Sequence, residues 1–213
     1  MSTLKITEIF CSIQGESTSV GEPTVFIRLT GCPLRCQYCD TSYAFTGGEK
    51  KTIAEIVQQA KSFGVLFATV TGGEPLAQAS CTELLTALCD AGFSVSLETS
   101  GAVSIATVDS RVRTILDIKT PGSGESDKNL LANFAYLKPV DEIKFVICNR
   151  EDYDFSLALL KKEQLAEKCQ VLFSPSHDEL HGRDLAEWII ADGAKVRLQL
   201  QLHKYLWGNE AGR

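Results

Sequence analysis

Three cysteines in a short stretch are the residues of this chain that most directly suggest chemistry. Cys32, Cys36 and Cys39 have the spacing C-x3-C-x2-C. Three thiolates with this spacing can bind one [4Fe-4S] cluster and leave the fourth iron free for another ligand. An electron-transfer ferredoxin would supply a fourth cysteine, but the next one here is Cys81. The spacing therefore predicts a cluster with an open, reactive iron.

A structural zinc site is the alternative interpretation of these cysteines. Zinc would need a second C-x2-C or a histidine pair to complete a tetrahedron, and the first histidine of the chain is His177. Tyr38, the aromatic residue before the last cysteine, favours the cluster. The pattern C-x3-C-x-aromatic-C resembles the signature of the radical S-adenosylmethionine (radical SAM) enzymes. The resemblance implies that S-adenosylmethionine binds the free iron and yields a 5′-deoxyadenosyl radical that abstracts hydrogen from a substrate.

The elements that must position these cysteines alternate along the chain. Apolar, β-branched runs predict strands at 24–30, 66–71, 93–99, 114–118, 142–148, 169–173 and 195–202. Capping boxes at Thr52-x-x-Glu55 and Ser80-x-x-Glu83 predict the starts of two helices, and further helices are expected at about 156–168 and 183–192. The alternation predicts a single α/β domain over 1–213 with mostly parallel strands in a partial barrel. The resemblance implies a modified (β/α) barrel of the radical SAM type.

The polar motifs fall at the ends of the predicted strands, where a parallel sheet places its active site. They are the cysteine loop, Thr71-Gly-Gly-Glu-Pro75, Glu98-Thr-Ser-Gly101, Asp117-Ile-Lys119 and Ser174-Pro-Ser-His177. By resemblance to radical SAM enzymes, several of these residues bind the cofactor: Tyr38, Gly73, Glu74, Asp117, Ile118, Lys119, Ser174, Pro175, Ser176 and His177. A solvated charge at Lys119 and a turn hydrogen bond at His177 are the alternatives for those two residues.

Further motifs narrow the resemblance. Ile13-Gln-Gly-Glu16, Arg28-Leu-x-Gly-Cys32, Cys39-Asp-Thr41 and His203-Lys-Tyr-Leu-Trp-Gly208 are similar, with the motifs above, to the 7-carboxy-7-deazaguanine synthase family over nearly the whole chain. This implies ring contraction of 6-carboxy-5,6,7,8-tetrahydropterin to 7-carboxy-7-deazaguanine with loss of ammonia, on the route to queuosine. It also implies a homodimer, Mg²⁺ and a flavodoxin-like reductant. Ser17 departs from the family's usual Gln-Gly-Glu-Gly.

A flat pterin needs convergent donors and acceptors, and its carboxylate suits the bidentate fork of Arg28. The resemblance assigns Glu16 and Glu98 as catalytic residues and Thr41 as the Mg²⁺ ligand. It assigns substrate binding to Ile13, Gln14, Gly15, Arg28 and Thr71. A glycyl-radical-enzyme activase is the nearest alternative enzyme, but the residues suited to a pterin argue against it.

Composition limits the partners. The net charge is −6 and no dense Lys/Arg run is present, so nucleic acid is not expected as a partner. No stretch approaches the roughly 18 apolar residues of a membrane span, and the start of the chain lacks a signal-peptide pattern. Eight cysteines are too small a share for a disulfide scaffold and fit a reducing compartment. These features predict a cytoplasmic protein.

Overall fold

The computed structural model describes residues 2–208, 210 and 212. The strands are β1 (Thr3–Ile13), β2 (Pro23–Leu29), β3 (Glu49–Thr52), β4 (Phe67–Gly72), β5 (Ser94–Thr99), β6 (Arg113–Ile118), β7 (Glu142–Ile147), β8 (Gln170–Pro175) and β9 (Arg197–Leu198). The helices are α1 (Ile53–Ser62), α2 (Cys81–Asp90), α3 (Arg150–Lys162), α4 (Leu165–Lys168), α5 (Gly182–Ala191) and α6 (Leu202–Trp207). Short 3₁₀ turns lie at Ser42–Phe45, Pro75–Ala77, Pro121–Ser123, Ser126–Lys128 and Leu131–Tyr136.

All the strands belong to one sheet with the order β3-β1-β2-β4-β5-β6-β7-β8-β9. The pairs of β1 with β2 and with β3 are antiparallel, and every other pair is parallel. The sheet therefore has two free edges and forms a partial barrel, as the strand pattern predicted. No helix in the described part of the chain is long and apolar enough to cross a membrane.

The two faces of the sheet have different chemistry because side chains alternate along each strand. The outer face is apolar and packs under the helices in two clusters. One cluster joins β2, β4 and β5 to α1 and α2, with Ile56 and Leu84 among its buried residues. The other joins β6, β7 and β8 to α3, α4 and α5 around Tyr153 and Phe173. The inner face carries the polar side chains, so the fold directs them into one concave space.

Several predicted elements need correction. The sequence pattern gave no strand before 24, but β1 pairs with β2 over most of its length. The third helix begins at Arg150 rather than at about 156, because the Asn149 side chain caps it by accepting from the Asp152 amide. The Thr52 capping box is confirmed, but the one at Ser80 is wrong because that hydroxyl makes no cap hydrogen bond. The last predicted strand is short, and α6 starts within it.

Candidate active site

The inner face of the sheet and the loops at its carboxyl edge enclose a cavity of about 540 Å³. This is within the range of about 300 to 1,000 Å³ typical of ligand sites. All but two of the site residues predicted from sequence line it, and they come from both halves of the barrel. The exceptions are Glu74 and Ile118. These residues come together because parallel strands bring their carboxyl ends to one edge of the sheet.

The cysteine loop follows β2 and lies at the mouth of the cavity. Gly31 has a φ of 96°, a left-handed conformation that favours glycine and turns the chain out of the strand. Cys32, Cys36 and Cys39 all line the cavity as free thiols. Burial raises the pKa of the Cys36 thiol, so this site favours the thiolate only when a positive metal centre is present. The loop can therefore hold a cluster whose open iron faces the cavity.

The thiols fit a cluster better than a zinc ion. A zinc ion draws all its ligands to within about 2.0 to 2.3 Å of one point. Among residues 2–208, 210 and 212, no three His, Cys, Asp or Glu side chains converge in that way. A cubane instead binds each thiolate through a different iron, so the three sulfur atoms need not converge. Three thiols are the donor set that a cubane with one open iron needs, whereas a structural zinc ion would need a fourth protein ligand.

Gly72 and Gly73, at the end of β4, connect this strand to the cysteine loop. The Gly73 amide donates to the Leu29 carbonyl at 3.2 Å, and the Glu74 amide donates to the Gly31 carbonyl at 2.8 Å. A Cβ at Gly73 would lie 2.1 Å from the Gly31 carbonyl oxygen, so only glycine allows this approach. These two amides therefore hold the cysteine loop against the end of β4. The Gly73 carbonyl accepts no hydrogen bond from the described residues and remains available to an amine.

The structure does not bring the side chains of Glu74 and Ile118 into the cavity. The Glu74 carboxylate is fully buried and accepts from the Leu76 amide, the Thr99 hydroxyl and the amide and hydroxyl of Ser100. It anchors the end of β5 to the glycine loop, and a direct cofactor contact would need these bonds to break. Ile118 points to the outer face and belongs to the apolar core.

Asp117 and Lys119 form a buried ion pair on the cofactor side of the cavity. The Lys119 Nζ lies 3.0 Å from Asp117 Oδ1 and 5.8 Å from the centre of the Tyr38 ring. Burial opposes the charge on Lys119, but Asp117 together with Tyr38 and Cys36 outweighs burial and raises the pKa of the lysine. Lys119 is only 8% exposed, so the solvated-charge interpretation is wrong. The Tyr38 hydroxyl is buried without a hydrogen-bond partner among the described residues, which fits a polar ligand there.

The end of β8 and the turn after it line another part of the cavity. Ser174 and Ser176 are buried, and the Ser176 amide donates to the Ile147 carbonyl at 2.8 Å. His177 lies at the rim, where its Nδ1 is 2.9 Å from Asp178 Oδ2. The turn interaction considered for His177 is therefore present, and the ring also lines the cavity. This arrangement suits a polar ligand lying across the ends of β6, β7 and β8.

The substrate side begins with the loop after β1. Gln14 is buried, and its side-chain amide donates to the Thr69 hydroxyl at 3.2 Å. The side-chain oxygen of Gln14 accepts from the Glu16 backbone amide at 3.1 Å. Ser17 keeps a left-handed φ of 64°, although it has a Cβ where the family usually has glycine. Its hydroxyl accepts from the Ser19 amide, which supports the turn at 3.1 Å. The serine hydroxyl therefore supports the left-handed turn at this position.

Arg28 is oriented by an acidic residue that sequence reasoning did not assign. Its Nε donates to Glu8 Oε1 at 2.7 Å, and the Tyr43 hydroxyl donates to the same oxygen at 2.8 Å. Among the described residues, the two terminal guanidinium nitrogens have no acceptor. Glu8 therefore fixes one side of the guanidinium and leaves its fork toward the cavity, as carboxylate recognition requires.

Glu16 and Glu98 have opposite electrostatic environments. Burial favours the neutral form of Glu16, but Lys144 and Gln201 outweigh it and hold the pKa of this carboxyl at about 2. For Glu98, burial and the nearby Glu16 charge raise the pKa. Glu98 Oε2 accepts from the Thr71 hydroxyl at 2.8 Å. Two carboxyls with pKa values displaced in opposite directions are the pattern of an acid–base pair.

Sequence reasoning missed Lys144 and Gln201 as site residues. The Lys144 Nζ donates to Glu16 Oε2 at 2.7 Å, and the Gln201 Nε2 donates to Glu16 Oε1 at 2.8 Å. Next to Gln201, the Leu202 amide donates to the Gly15 carbonyl, so the C-terminal segment closes one side of the cavity. The alternation of β7 was the available signal, because a lysine between buried apolar residues must face the opposite side of the sheet.

Thr41 lies at the rim beside the last cysteine. Its hydroxyl donates to Asp40 Oδ1 at 2.8 Å, and both residues line the cavity. The hydroxyl thus donates to a neighbouring side chain of its own loop. A hydroxyl and a carboxylate side by side are nevertheless hard oxygen donors of the kind that Mg²⁺ accepts together with water and substrate oxygens. The donor set therefore fits this ion.

The partial barrel with its cysteine loop defines a radical SAM enzyme, and the sequence profile of the Radical SAM superfamily matches residues 26–119. A 7-carboxy-7-deazaguanine synthase of Chlorobaculum tepidum is 44% identical over 211 residues, covering 98% of this chain and 96% of the relative. Another, of Koribacter versatilis, is 41% identical over 224 residues, covering 97% and 98%. The chain therefore belongs to the 7-carboxy-7-deazaguanine synthase family.

A solved structure has the same architecture. The crystal structure of QueE from Escherichia coli matches with a TM-score of 0.78 and 24% sequence identity, covering 94% of this chain and 95% of that one. This likeness concerns the fold and confirms the partial barrel predicted from the strand pattern. Family membership also decides between the other interpretations: the chain is a radical SAM lyase-type enzyme, not a glycyl-radical-enzyme activase or a zinc-binding interaction module.

Proposed function

We propose that this enzyme converts 6-carboxy-5,6,7,8-tetrahydropterin to 7-carboxy-7-deazaguanine with loss of ammonia, a step toward queuosine. The observation that carries the proposal is that one cavity is lined by two sets of residues next to the cysteine loop. One set suits a pterin and consists of Gln14, Glu16, Arg28 and Glu98. The other set, which includes Tyr38, Gly73 and Asp117, suits S-adenosylmethionine. The names of the relatives support this choice of reaction.

In this proposal, S-adenosylmethionine on the reduced cluster supplies a 5′-deoxyadenosyl radical, and the protein supplies orientation and proton handling. Arg28 binds the pterin carboxylate, and Gln14 and Glu16 bind the amide and amine edge. Glu98, which retains its proton to a higher pH than an ordinary glutamate, is placed to exchange protons with the substrate. For S-adenosylmethionine, the Gly73 carbonyl would receive the methionyl amine, and Asp117 would bind the ribose.

The remaining partners are part of the same proposal. We assign Mg²⁺ to Thr41, whose hydroxyl would help to hold the ion, and the ion would supply positive charge for binding the substrate carboxylate. By analogy with the family we also assign a single domain, a homodimer, a flavodoxin-like reductant and a cytoplasmic location. Sedimentation of the purified protein tests the dimer, and reduction of the reconstituted protein by a purified flavodoxin tests the electron donor.

The direct test of function is a reaction with defined components. Anaerobically reconstituted protein is incubated with a reductant, S-adenosylmethionine and the carboxytetrahydropterin, and the deazaguanine product is sought by mass. Omission of each component in turn is the control. Product that depends on all three supports the proposal, whereas reductive cleavage of S-adenosylmethionine without any deazaguanine would reject this substrate.

We expect Arg28→Lys to weaken substrate binding selectively. Lysine keeps the charge but loses the fork that the Glu8 contact orients. A charge-assisted hydrogen bond contributes about 1.5 to 3 kcal/mol, so affinity for the pterin should fall by about one to two orders of magnitude. Calorimetric titration of reconstituted enzyme without reductant measures this change.

Binding of S-adenosylmethionine is the internal control, and Arg113→Lys is the matched variant. Arg113 also contacts a carboxylate, that of Glu142, but it does not line the cavity. An equal loss of affinity for cofactor and substrate in Arg28→Lys would mean that Arg28 supports the fold rather than recognition.

We expect Thr41→Ala to reduce the dependence of turnover on Mg²⁺ without changing iron content. The variant removes one hard oxygen donor and leaves Asp40 in place. The measurement is the initial rate as a function of Mg²⁺ concentration, and Thr41→Ser, which retains the hydroxyl, is the matched control. The same Mg²⁺ response in alanine and wild-type enzymes would remove Thr41 from the ion site.

A further inference from the structure

Lys144 lies between two carboxylates, Glu16 and Asp117, which the proposed function assigns to different ligands. Its Nζ is 2.7 Å from Glu16 Oε2 and 3.4 Å from Asp117 Oδ2. It stands on the inner face of β7, where it is paired in register with Asp117 of β6. The side chain is 14% exposed, so water screens these contacts little. None of the sequence motifs includes this residue.

The contacts of Lys144 continue on both sides. On the substrate side, Glu16 also accepts from Gln201 of the C-terminal segment. On the cofactor side, Asp117 also contacts Lys119, which lies near the Tyr38 ring. A continuous series of polar contacts therefore runs from the loop that faces the pterin, through one ammonium group, to the strand that faces S-adenosylmethionine.

We propose that Lys144 is a positioning residue that couples the binding of substrate to the binding of cofactor. The inference rests on the proposed function, because it uses the assignment of Glu16 and Asp117 to different ligands. One ammonium group has three protons and shares them between two carboxylates. A ligand that occupies one carboxylate changes how that ammonium is shared with the other, which is the requirement for a coupling free energy between two sites.

The two unequal distances give the sign of the coupling. Because the contact with Asp117 is the longer one, a ligand hydroxyl bound to Asp117 replaces the weaker interaction. Lys144 then interacts more fully with Glu16 and fixes that carboxylate in the orientation that receives the pterin. S-Adenosylmethionine should therefore raise the affinity for the pterin, and reciprocity requires the pterin to raise the affinity for S-adenosylmethionine by the same factor.

The test measures four dissociation constants. Reconstituted enzyme with an oxidised cluster and no reductant is titrated with S-adenosylmethionine and with carboxytetrahydropterin, each alone and each in the presence of the other. We expect a coupling factor of about tenfold in the wild-type enzyme, within the usual range of about 5 to 150. In Lys144→Met the factor should fall to within about twofold, and Lys144→Arg, which can contact both carboxylates, should retain most of it. Lys144→Gln replaces the methionine variant if that one does not fold.

Lys128→Met is the matched control, because Lys128 pairs with Asp127 on the exposed surface, outside the cavity. It should leave the coupling factor unchanged. A preserved factor in Lys144→Met would overturn the inference, as would loss of pterin binding with no change toward S-adenosylmethionine, which would indicate direct substrate contact. Wild-type enzyme that binds both ligands independently would reject the coupling but not the function. Wild-type enzyme that does not bind the pterin would reject the function itself.

Discussion

Replacing Cys36 by alanine is expected to abolish both cluster binding and turnover. The loop offers three thiols at the mouth of the cavity, and two thiolates cannot hold a cubane stably. We expect iron and sulfide content after anaerobic reconstitution to fall close to zero, together with the brown colour of the cluster. Cys32→Ala and Cys39→Ala should have the same effect, because each removes one of the three ligands.

Cys89→Ala is the matched control for this prediction. Cys89 is a free, partly buried thiol on α2 that packs against the outer core and does not line the cavity. This variant should keep the iron content and turnover of the wild-type enzyme. Thermal unfolding of the apoprotein should be similar in both variants, which separates loss of the cluster from loss of the fold. Full iron loading with turnover in Cys36→Ala would refute the ligand assignment.

The position of the site could be predicted because it follows from strand direction. Once the alternation of strands and helices indicates parallel pairing, every motif at a strand end must share one edge of the sheet. Residues as far apart in sequence as Cys39 and Ser174 therefore line the same cavity. The apolar core could also be predicted. Strands that are buried on both faces form continuous apolar runs, and helices that are buried on one face show apolar residues at helical spacing.

The orientation of single polar side chains could not be predicted. Glu74 lies in a motif expected to bind the cofactor. Hydrogen bonds from Thr99 and Ser100, which are distant in sequence, instead hold its carboxylate away from the cavity. Likewise, nothing local indicates that Glu8 fixes Arg28 or that Lys144 joins Glu16 to Asp117. Such contacts depend on the register between strands and on the packing of the C-terminal segment, which a sequence pattern does not contain.

Edge elements were also missed because their patterns are weak. Strand β3 consists of Glu49–Thr52, four residues that are mostly charged, and its pairing with β1 stabilises it rather than burial of apolar side chains. In β1, only Leu4 and Ile6 are fully buried, so the alternation fades after the first half. Both strands form because the antiparallel neighbours satisfy their backbone groups, a reason that acts only after the sheet has assembled.

Glu98→Gln is expected to reduce turnover by about two to four orders of magnitude, the usual contribution of a general acid or base. The amide keeps the size of the side chain and can still accept from Thr71, so the cavity should keep its shape. It cannot gain or lose a proton at neutral pH. Because burial and the Glu16 charge raise the pKa of Glu98, the wild-type carboxyl loses its proton at a higher pH than an ordinary glutamate.

The dependence of kcat/KM on pH distinguishes proton transfer from a purely structural role for Glu98. In the wild-type enzyme, the limb of the pH profile that reflects ionisation of Glu98 should have its midpoint at a higher pH than an ordinary glutamate would give. In Glu98→Gln this limb should be absent. Glu142→Gln is the matched control, because Glu142 is a buried carboxylate that accepts from the Thr18 amide outside the cavity. It should keep the limb and most of the rate. If the limb persists in Glu98→Gln at a reduced rate, the titrating group is another residue and Glu98 acts only by binding the pterin.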